Sequence, residues 1–226
     1  MATRKPAPKL DTKQVIETAL RLLNEVGLEG LTLRAIARAL HVQAPALYWH
    51  FENKQALLDE MATEMYRRMA LGTRRGRHDT WQKRLLATNR ALRAALLTWR
   101  DGAKVFSGSR FTGTEHADEM EATLRILTDA GFTLRQAVRA SAALYLFTIG
   151  FVTEEQGVQP MPGERREGYD VAERAQRMAA YPLAAAAGAE IFGHYDERFD
   201  DGLRLIIAGI EARYDLGGFD KNSGSL

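Results

Sequence analysis

The sequence of 226 residues contains no cysteine. Disulfide bonds and thiolate metal sites are therefore excluded, and a reducing compartment such as the cytoplasm is the expected location. No apolar run approaches the ~20 residues that a membrane-spanning helix needs. The N-terminal MATRKPAPKL has no apolar segment behind its basic residues, so it does not read as a secretory signal. We expect a cytoplasmic protein with no membrane partner.

The residue patterns that mark common enzyme families are also missing. The chain has no glycine-rich phosphate loop, no His-Glu-x-x-His pair and no Gly-x-Ser-x-Gly turn. The five histidines show no metal-ligand spacing with one another. From these absences we predict that the protein is not an enzyme, and no catalytic residue is assigned.

Strand-like alternation and internal repeats are absent as well, whereas apolar residues recur at helical spacing almost throughout. The sequence therefore predicts an all-α fold, with a hydrophobic fraction of 46% available for its core. Helices are predicted between the caps Asp11 and Gly27, from Thr32 to Leu40, from Ala44 to Asn53, from Lys54 to a polar break at 74–78, from Thr80 to Arg100, within 101–113, and over 114–130, 133–154, 170–188 and 197–214.

Positive charge is concentrated near the N-terminus. Residues 1–54 carry eight Lys and Arg against five Asp and Glu, whereas the remainder carries 23 against 24. An excess of positive charge in one region favours a polyanionic partner there.

The stretch 32–54, TLRAIARALHVQAPALYWHFENK, is the most informative one. Two short helices are joined by a three-residue turn, HVQ, which are the dimensions of a helix-turn-helix. The second helix begins with small and polar residues that suit base edges, and continues with groups that suit phosphates. We expect Leu47 and Trp49 to be buried core residues. Tyr48 and His50 are expected to contact phosphates.

The segment LTLRAIARALHVQAPALYWHFENKQALLDEM resembles the DNA-binding head of the tetracycline-repressor (TetR) family, and the likeness begins upstream in ALRLLNEVGLEGLTLR. Shorter stretches resemble the ligand-binding core of the tetracycline repressors: ALLTWRDGAKVFSGSR, GFTLRQAV, FTIGFVTEEQ and GLRLIIAGIE. The resemblance implies a homodimeric repressor whose last two long helices pack with those of the partner as a four-helix bundle. It also implies that a palindromic double-stranded DNA operator and a small-molecule effector are the partners.

This resemblance, together with the helix pattern, gives the expected division of the chain. We predict a flexible basic tail over 1–9, a helix-turn-helix DNA-binding head over 10–54, a larger helical ligand-binding and dimerisation core over 55–215, and a flexible tail over 216–226.

The family pattern implies that Arg34 and residues 43–46 face bases. The full set of predicted DNA-binding residues is Thr32, Arg34, Gln43, Ala44, Pro45, Ala46, Tyr48, His50 and Lys54. Ala44 stands where the tetracycline repressors use a base-reading amide side chain. A bidentate contact contributes ~1–3 kcal/mol of discrimination, so its loss predicts a different operator.

The effector site departs further from the family pattern. Phe106 stands where the resemblance places a histidine that ligates drug-bound magnesium, so we expect neither Mg²⁺ nor another cofactor. Glu154 matches an acidic family residue that holds metal-bound water, and Thr88 and Arg110 are the expected polar anchors. The predicted ligand-binding residues are Thr88, Leu92, Phe106, Ser109, Arg110, Phe111, Leu124, Val138, Tyr145 and Glu154.

An aromatic cavity with few polar anchors suits a planar multi-ring ligand, such as an antibiotic or a polyketide-like compound. An efflux pump gene is the regulated target by family analogy. Three alternatives stay open: Phe106 fills the cavity, a tetracycline–magnesium complex is still the effector, or the protein binds small molecules without operator function.

Overall fold

The computed structural model describes residues 11–72 and 80–214, so both predicted tails and the break at 74–78 lie outside the described residues. All regular elements in the described part are helices, which confirms the all-α prediction. They are α1 (Thr12–Gly30), α2 (Leu33–Ala39), α3 (Ala44–Tyr48), α4 (Lys54–Gly72), α5 (Trp81–Leu96), α6 (Gly102–Phe106), α7 (Glu115–Asp129), α8 (Leu134–Val158), α9 (Val171–Arg177), α10 (Pro182–Ile191) and α11 (Tyr195–Tyr214).

Polar side chains cap several helices where the sequence places them. Asp11 accepts a hydrogen bond from the Lys13 amide at the start of α1, and Thr32 accepts one from Ala35 at the start of α2. Thr80 caps α5 in the same way, and Thr133 forms a full capping box at α8. Each cap satisfies an amide that has no partner within its own helix.

Five helix boundaries differ clearly from the prediction. α3 ends at Tyr48 instead of Asn53. α1 continues to Gly30 beyond a break at Gly27, where φ is +70°. α5 ends at Leu96, before a turn that leads to Asp101. The φ of Asp101 is +55°, which lies outside the right-handed helical region. α8 extends to Val158.

The fifth difference lies in the predicted helix 170–188, which is two helices, α9 and α10. Pro182 begins the second one because it has no amide hydrogen to donate and its fixed φ suits the first turn of a helix.

Two hydrophobic clusters form the interior of the described chain. One joins the head to α4, α5, α6 and the C-terminal half of α8, with Leu23, Met61, Ala103 and Val152 among its fully buried members. The other joins α5, α7, the N-terminal half of α8, and α11. Because the first cluster crosses from the head into the core, movements of α4 and α6 are mechanically linked to the head.

A buried ion pair holds the long helices of the core together. Arg93 on α5 donates two hydrogen bonds to Glu155 on α8, at 2.8 and 2.7 Å. Its third bond reaches Asp196 on α11 at 2.7 Å, and its guanidinium lies 5.1 Å from the ring centre of Phe199. One side chain therefore connects α5, α8 and α11.

Within the described residues, no helix is long and apolar enough to cross a membrane.

Candidate DNA-binding surface and ligand cavity

The head presents α2, a tight turn and α3 on one surface. His41 has a φ of +55° in the turn, which reverses the chain between the two helices. Leu47 is fully buried and fixes α3 against the head, whereas Tyr48 is 58% exposed. The solvent side of α3 is therefore available to a partner.

The predicted DNA-binding residues divide into free and engaged side chains. Arg34, Gln43 and Pro45 are exposed, and Ala44 and Ala46 are partly buried. The three engaged side chains are bound as follows: the Thr32 hydroxyl accepts from Ala35, His50 Nδ1 lies 3.0 Å from Thr12 Oγ1, and Lys54 Nζ donates to the Leu28 carbonyl at 2.9 Å. The Thr32 bond caps α2, whereas the His50 and Lys54 bonds reach α1. DNA contact by the whole set stays a prediction.

The expectation that Trp49 is a core residue is wrong, because its side chain is 90% exposed. α3 has only five residues and ends at Tyr48, so Trp49 falls in the turn that follows. Leu47 and Phe51 occupy the inward positions on either side of it. Trp49 consequently enlarges the aromatic surface that begins with Tyr48.

A cavity of about 630 Å³ opens between α4, α5, α6, α7 and α8. Seven of the ten predicted ligand-binding residues line it: Thr88, Leu92, Phe106, Phe111, Leu124, Val138 and Tyr145. Its volume falls in the range of small-molecule sites, ~300–1,000 Å³.

The other three predicted residues lie away from this wall. Ser109 donates its hydroxyl hydrogen to the Val105 carbonyl, and Arg110 is exposed because its amide binds Asp59 and turns the chain outward. Glu154 is exposed on α8. In a single chain, none of the three contributes to the cavity.

Aromatic rings form one end of the cavity. The rings of Phe106 and Phe111 lie 5.2 Å apart between centres, and Tyr66 lies 5.2 Å from Phe111. His116 completes the group at 5.1 Å from Phe111. Phe106 is thus packed into the wall beside open volume, and the rings offer flat apolar faces to a ligand.

Several polar wall residues were missed by sequence reasoning. Arg84, Asn89 and Thr123 are buried, and Ser141 also lines the cavity. The signal that could have found Arg84 is helical spacing, because it precedes Thr88 by four residues on α5 and therefore shares its face. Buried arginines are uncommon, and the periodicity of apolar residues alone does not predict that Arg84 is buried.

Two tyrosine hydroxyls at the cavity remain protonated donors. Burial raises the pKa of Tyr145 above its ordinary value. Burial also raises the pKa of Tyr66, and the negative charge of Glu119 adds to the effect.

Comparison with known proteins identifies the family. Residues 15–61 match the family described as bacterial regulatory proteins, tetR family, and residues 75–214 match the tetracyclin repressor-like C-terminal domain. The chain belongs to the tetR family. It is 40% identical over 205 residues to the class A tetracycline repressor from transposon 1721 of Escherichia coli, covering 91% of this chain and 92% of that protein.

Two solved TetR-family structures show the same fold. A possible TetR family transcriptional regulator from Streptomyces coelicolor A3(2) is 37% identical with a TM-score of 0.77, covering 90% of this chain and all of that one. The class A tetracycline repressor in complex with 5a,6-anhydrotetracycline and magnesium is 34% identical with a TM-score of 0.65, covering 90% of this chain and 99% of that one. These matches confirm the predicted resemblance of the chain to a TetR-type DNA-binding head and core.

The cavity of this TetR-family chain carries Phe106 at the position where the family resemblance implies a magnesium ligand. In the part of the chain that the structure describes, no group of three His, Cys, Asp or Glu side chains is placed to hold a metal. Glu115 and Glu119 line the cavity, but they bind Arg67 and Arg84. Phe106 contributes only carbon atoms, which cannot ligate Mg²⁺.

The turn before α6 connects the TetR core to the head. Asp101 accepts a hydrogen bond from the Leu28 amide at 3.0 Å, and Asn24 accepts one from the Arg100 amide at 2.9 Å. Burial disfavours the Asp101 carboxylate, but the bonds from Leu28 and Lys104 outweigh burial and hold the pKa of Asp101 below its ordinary value. The carboxylate therefore stays ionised at neutral pH and keeps the turn attached to α1.

The other side of the same turn is attached to α8. Gln156 is buried; its Oε1 accepts from the Ala103 amide at 3.2 Å and its Nε2 donates to the Trp99 carbonyl at 2.7 Å. α6 thus lies between the cavity, which Phe106 lines, and the end of α1. A ligand that displaces α6 must act on both attachments.

Proposed function

We propose that this protein is a homodimeric transcriptional repressor that binds a palindromic DNA operator and leaves it when a planar multi-ring compound occupies the cavity. The observation that carries this proposal is the placement of α6. Phe106 at its end lines the cavity, while Asp101 at its beginning binds the head through Leu28. A ligand can shift the equilibrium between the operator-binding form and the non-operator form only if it binds the second more tightly. A different position of α6 in the two forms provides that difference in ligand affinity.

The homodimer accounts for apolar side chains that one chain leaves uncovered. Leu134 and Leu146 on α8 are 61% and 65% exposed, and Leu205 on α11 is 67% exposed. Large apolar side chains that stay exposed on long helices are candidates for an interface. A four-helix bundle of α8 and α11 with the same helices of a second subunit would cover them and fix the separation of the two heads. Such heads read half-sites ~34–36 Å apart.

The ligand is expected to bind without metal, by stacking on the rings of Phe106 and Phe111 and by burying apolar area. The protein is further proposed to act in the cytoplasm, to catalyse no reaction and, by analogy with its relatives, to control an efflux pump gene. The division of the chain into a head over 10–54 and a core over 55–215 stays a prediction; α4 begins at Lys54, next to that boundary.

Magnesium is expected to make no difference to ligand binding. Thermal unfolding of the full chain should be measured with a panel of planar polyketides and tetracyclines, in Mg²⁺ and in EDTA. If the ligand binds without metal, as proposed, any compound that raises the melting temperature should do so equally in both buffers. Stabilisation by a tetracycline that depends on Mg²⁺ would show that a metal–drug complex is the effector and that Phe106 does not exclude it.

Arg34→Ala is expected to weaken specific operator binding about 5- to 150-fold, which corresponds to the ~1–3 kcal/mol of one bidentate base contact. The operator is first selected from randomised palindromic duplexes, and affinity is measured by fluorescence titration. Thermal stability and ligand affinity should not change, because Arg34 is exposed on α2 and lies outside the cavity.

The matched control is Arg21→Ala, which removes an equal charge from the exposed side of α1, where Arg21 pairs only with Glu25. Operator binding that is unchanged by Arg34→Ala contradicts the assigned base contact. A protein that selects no duplex, yet binds ligands, would be a small-molecule binder without operator function. Specific binding that weakens steeply with salt argues against that alternative.

A further inference from the structure

We propose that Arg84 determines the specificity of the cavity by selecting ligands that present an uncharged oxygen acceptor, such as a keto or quinone carbonyl, over hydrocarbon rings of the same shape. The inference rests on the proposed function, to which it adds the chemical group that the planar ligand must carry.

The guanidinium of Arg84 is buried in the cavity wall and only partly bonded. Nε donates to Thr123 Oγ1 at 3.1 Å, and Nη2 donates to Glu119 at 2.5 Å, both on α7. Nη1 makes no hydrogen bond to any described residue. A guanidinium carries five N–H donors. Nη1 is not among the buried side-chain atoms that lack a partner, so it is accessible from the open volume of the cavity. The N–H groups of Arg84 that make no hydrogen bond therefore favour a ligand that carries a hydrogen-bond acceptor.

The neighbouring polar groups of the wall sharpen this selection. Asn89 is engaged at both ends, because its Nδ2 donates to the Leu85 carbonyl at 2.9 Å and its Oδ1 accepts from Thr148 at 2.8 Å. Ser141 Oγ is buried and has no hydrogen-bond partner among the described residues. Arg84 and Ser141, together with the hydroxyls of Thr88 and Tyr145, are therefore the wall side chains from α5 and α8 that can bind a ligand oxygen. Arg84 is the charged donor among these described wall residues.

Charge balance around Arg84 favours a neutral acceptor over a carboxylate. Glu119 already neutralises the guanidinium, and Arg84 is the one lysine or arginine among the described wall residues. Asp118 adds negative charge to the same wall, whereas Glu115 is paired with Arg67. A ligand carboxylate would be repelled by these groups, and a ligand ammonium would face the donors of Arg84 with donors of its own.

The test uses tricyclic probes that differ at one group. Acridone and dihydroacridine share a ring system with and without a carbonyl, acridone carboxylate adds a negative charge, and aminoacridine is a cation. Affinities for the full chain are measured by calorimetry. Wild type is expected to bind acridone at least about tenfold more tightly than dihydroacridine, the scale of a hydrogen bond to a charged group.

Arg84→Met keeps the length of the side chain and removes its donors. The preference for acridone should disappear in this variant, while dihydroacridine binding should stay within about twofold of wild type. The double variant Arg84→Met/Glu119→Gln also removes the carboxylate of Glu119, which the single variant leaves without its arginine. It should show the same loss of the preference for acridone over dihydroacridine. The test therefore stays valid if Arg84→Met alone folds poorly. The matched control is Arg90→Met on the same helix, because Arg90 binds Asp200 and does not line the cavity.

Three outcomes overturn the inference. Equal loss of acridone and dihydroacridine binding in Arg84→Met would mean that Arg84 only ties α5 to α7. Tighter binding of the carboxylate or of aminoacridine than of acridone would mean that charge governs selection. In both cases the proposed repressor function stands. Failure of every probe to bind the wild type would overturn both the inference and the proposed planar ligand.

Discussion

Glu155→Ala is expected to lower the free energy of unfolding by ~3–5 kcal/mol, the usual cost of removing one partner from a buried ion pair. The Arg93 and Glu155 side chains are 12% and 5% exposed and share two hydrogen bonds. Without the carboxylate, Arg93 stays in the interior with only the exposed Asp196 as a charged partner. The loss is measured by urea denaturation at one fixed protein concentration, since the stability of a dimer depends on concentration.

Two controls separate burial from charge. Glu25→Ala breaks a pair with Arg21 in which both side chains are more than half exposed, and should cost under ~0.5 kcal/mol. The double variant Arg93→Met/Glu155→Leu replaces the buried pair by apolar groups of similar size and should recover most of the loss. A Glu155→Ala variant as stable as wild type would show that α5, α8 and α11 do not depend on this pair.

Gly102→Ala is expected to have the second largest effect, because it acts on α6 directly. A Cβ atom at this position would lie 2.2 Å from the Leu96 carbonyl oxygen, which belongs to the backbone and cannot rotate away. α6 must then shift, at a cost of ~1–3 kcal/mol or more. Since α6 connects the cavity to the head, the ligand should lose most of its effect on operator affinity. Thermal unfolding measures the loss of stability. Operator titrations with and without ligand measure the loss of the ligand's effect on operator affinity.

Lys104→Ala is the matched control on the same short helix. Its side chain is 51% exposed and pairs only with Asp101, so stability should change by under ~0.5 kcal/mol. If Gly102→Ala unfolds like wild type and still responds fully to ligand, α6 is not the element that couples the two sites.

The parts of the fold that could be predicted are those set by local sequence. Asp11, Thr32 and Thr80 cap helices because their side chains reach amides two or three residues away. Gly27 marks a break because it accepts a positive φ. Such features need no knowledge of the rest of the chain. The helix-turn-helix and the line of apolar residues along α4 follow from the same local rules.

The parts that could not be predicted depend on contacts between distant segments. Arg84 is buried because Thr123 and Glu119, more than thirty residues further on, supply its acceptors. Gln156 likewise finds its partners around Trp99 and Ala103. Trp49 shows the reverse error, since an apolar side chain read as core lies in solvent once α3 ends early.

The candidate ligand site shows the same division. Thr88 and Leu92 could be placed on the wall because they share one face of α5. Ser109 and Arg110 follow α6 in a loop whose direction is set by the bond from the Arg110 amide to Asp59. Helical periodicity says nothing about such a loop, and resemblance alone placed both residues in the cavity.

The reciprocity of ligand and operator binding tests the central claim most directly, that the cavity and the head are two coupled sites of one repressor. Acridone affinity is measured for the full chain alone and with saturating selected operator, and operator affinity is measured with and without acridone. Both affinities should fall by one common factor, ~5- to 150-fold for a typical coupling of 1–3 kcal/mol. Acridone affinity that is identical with and without operator would contradict the claim.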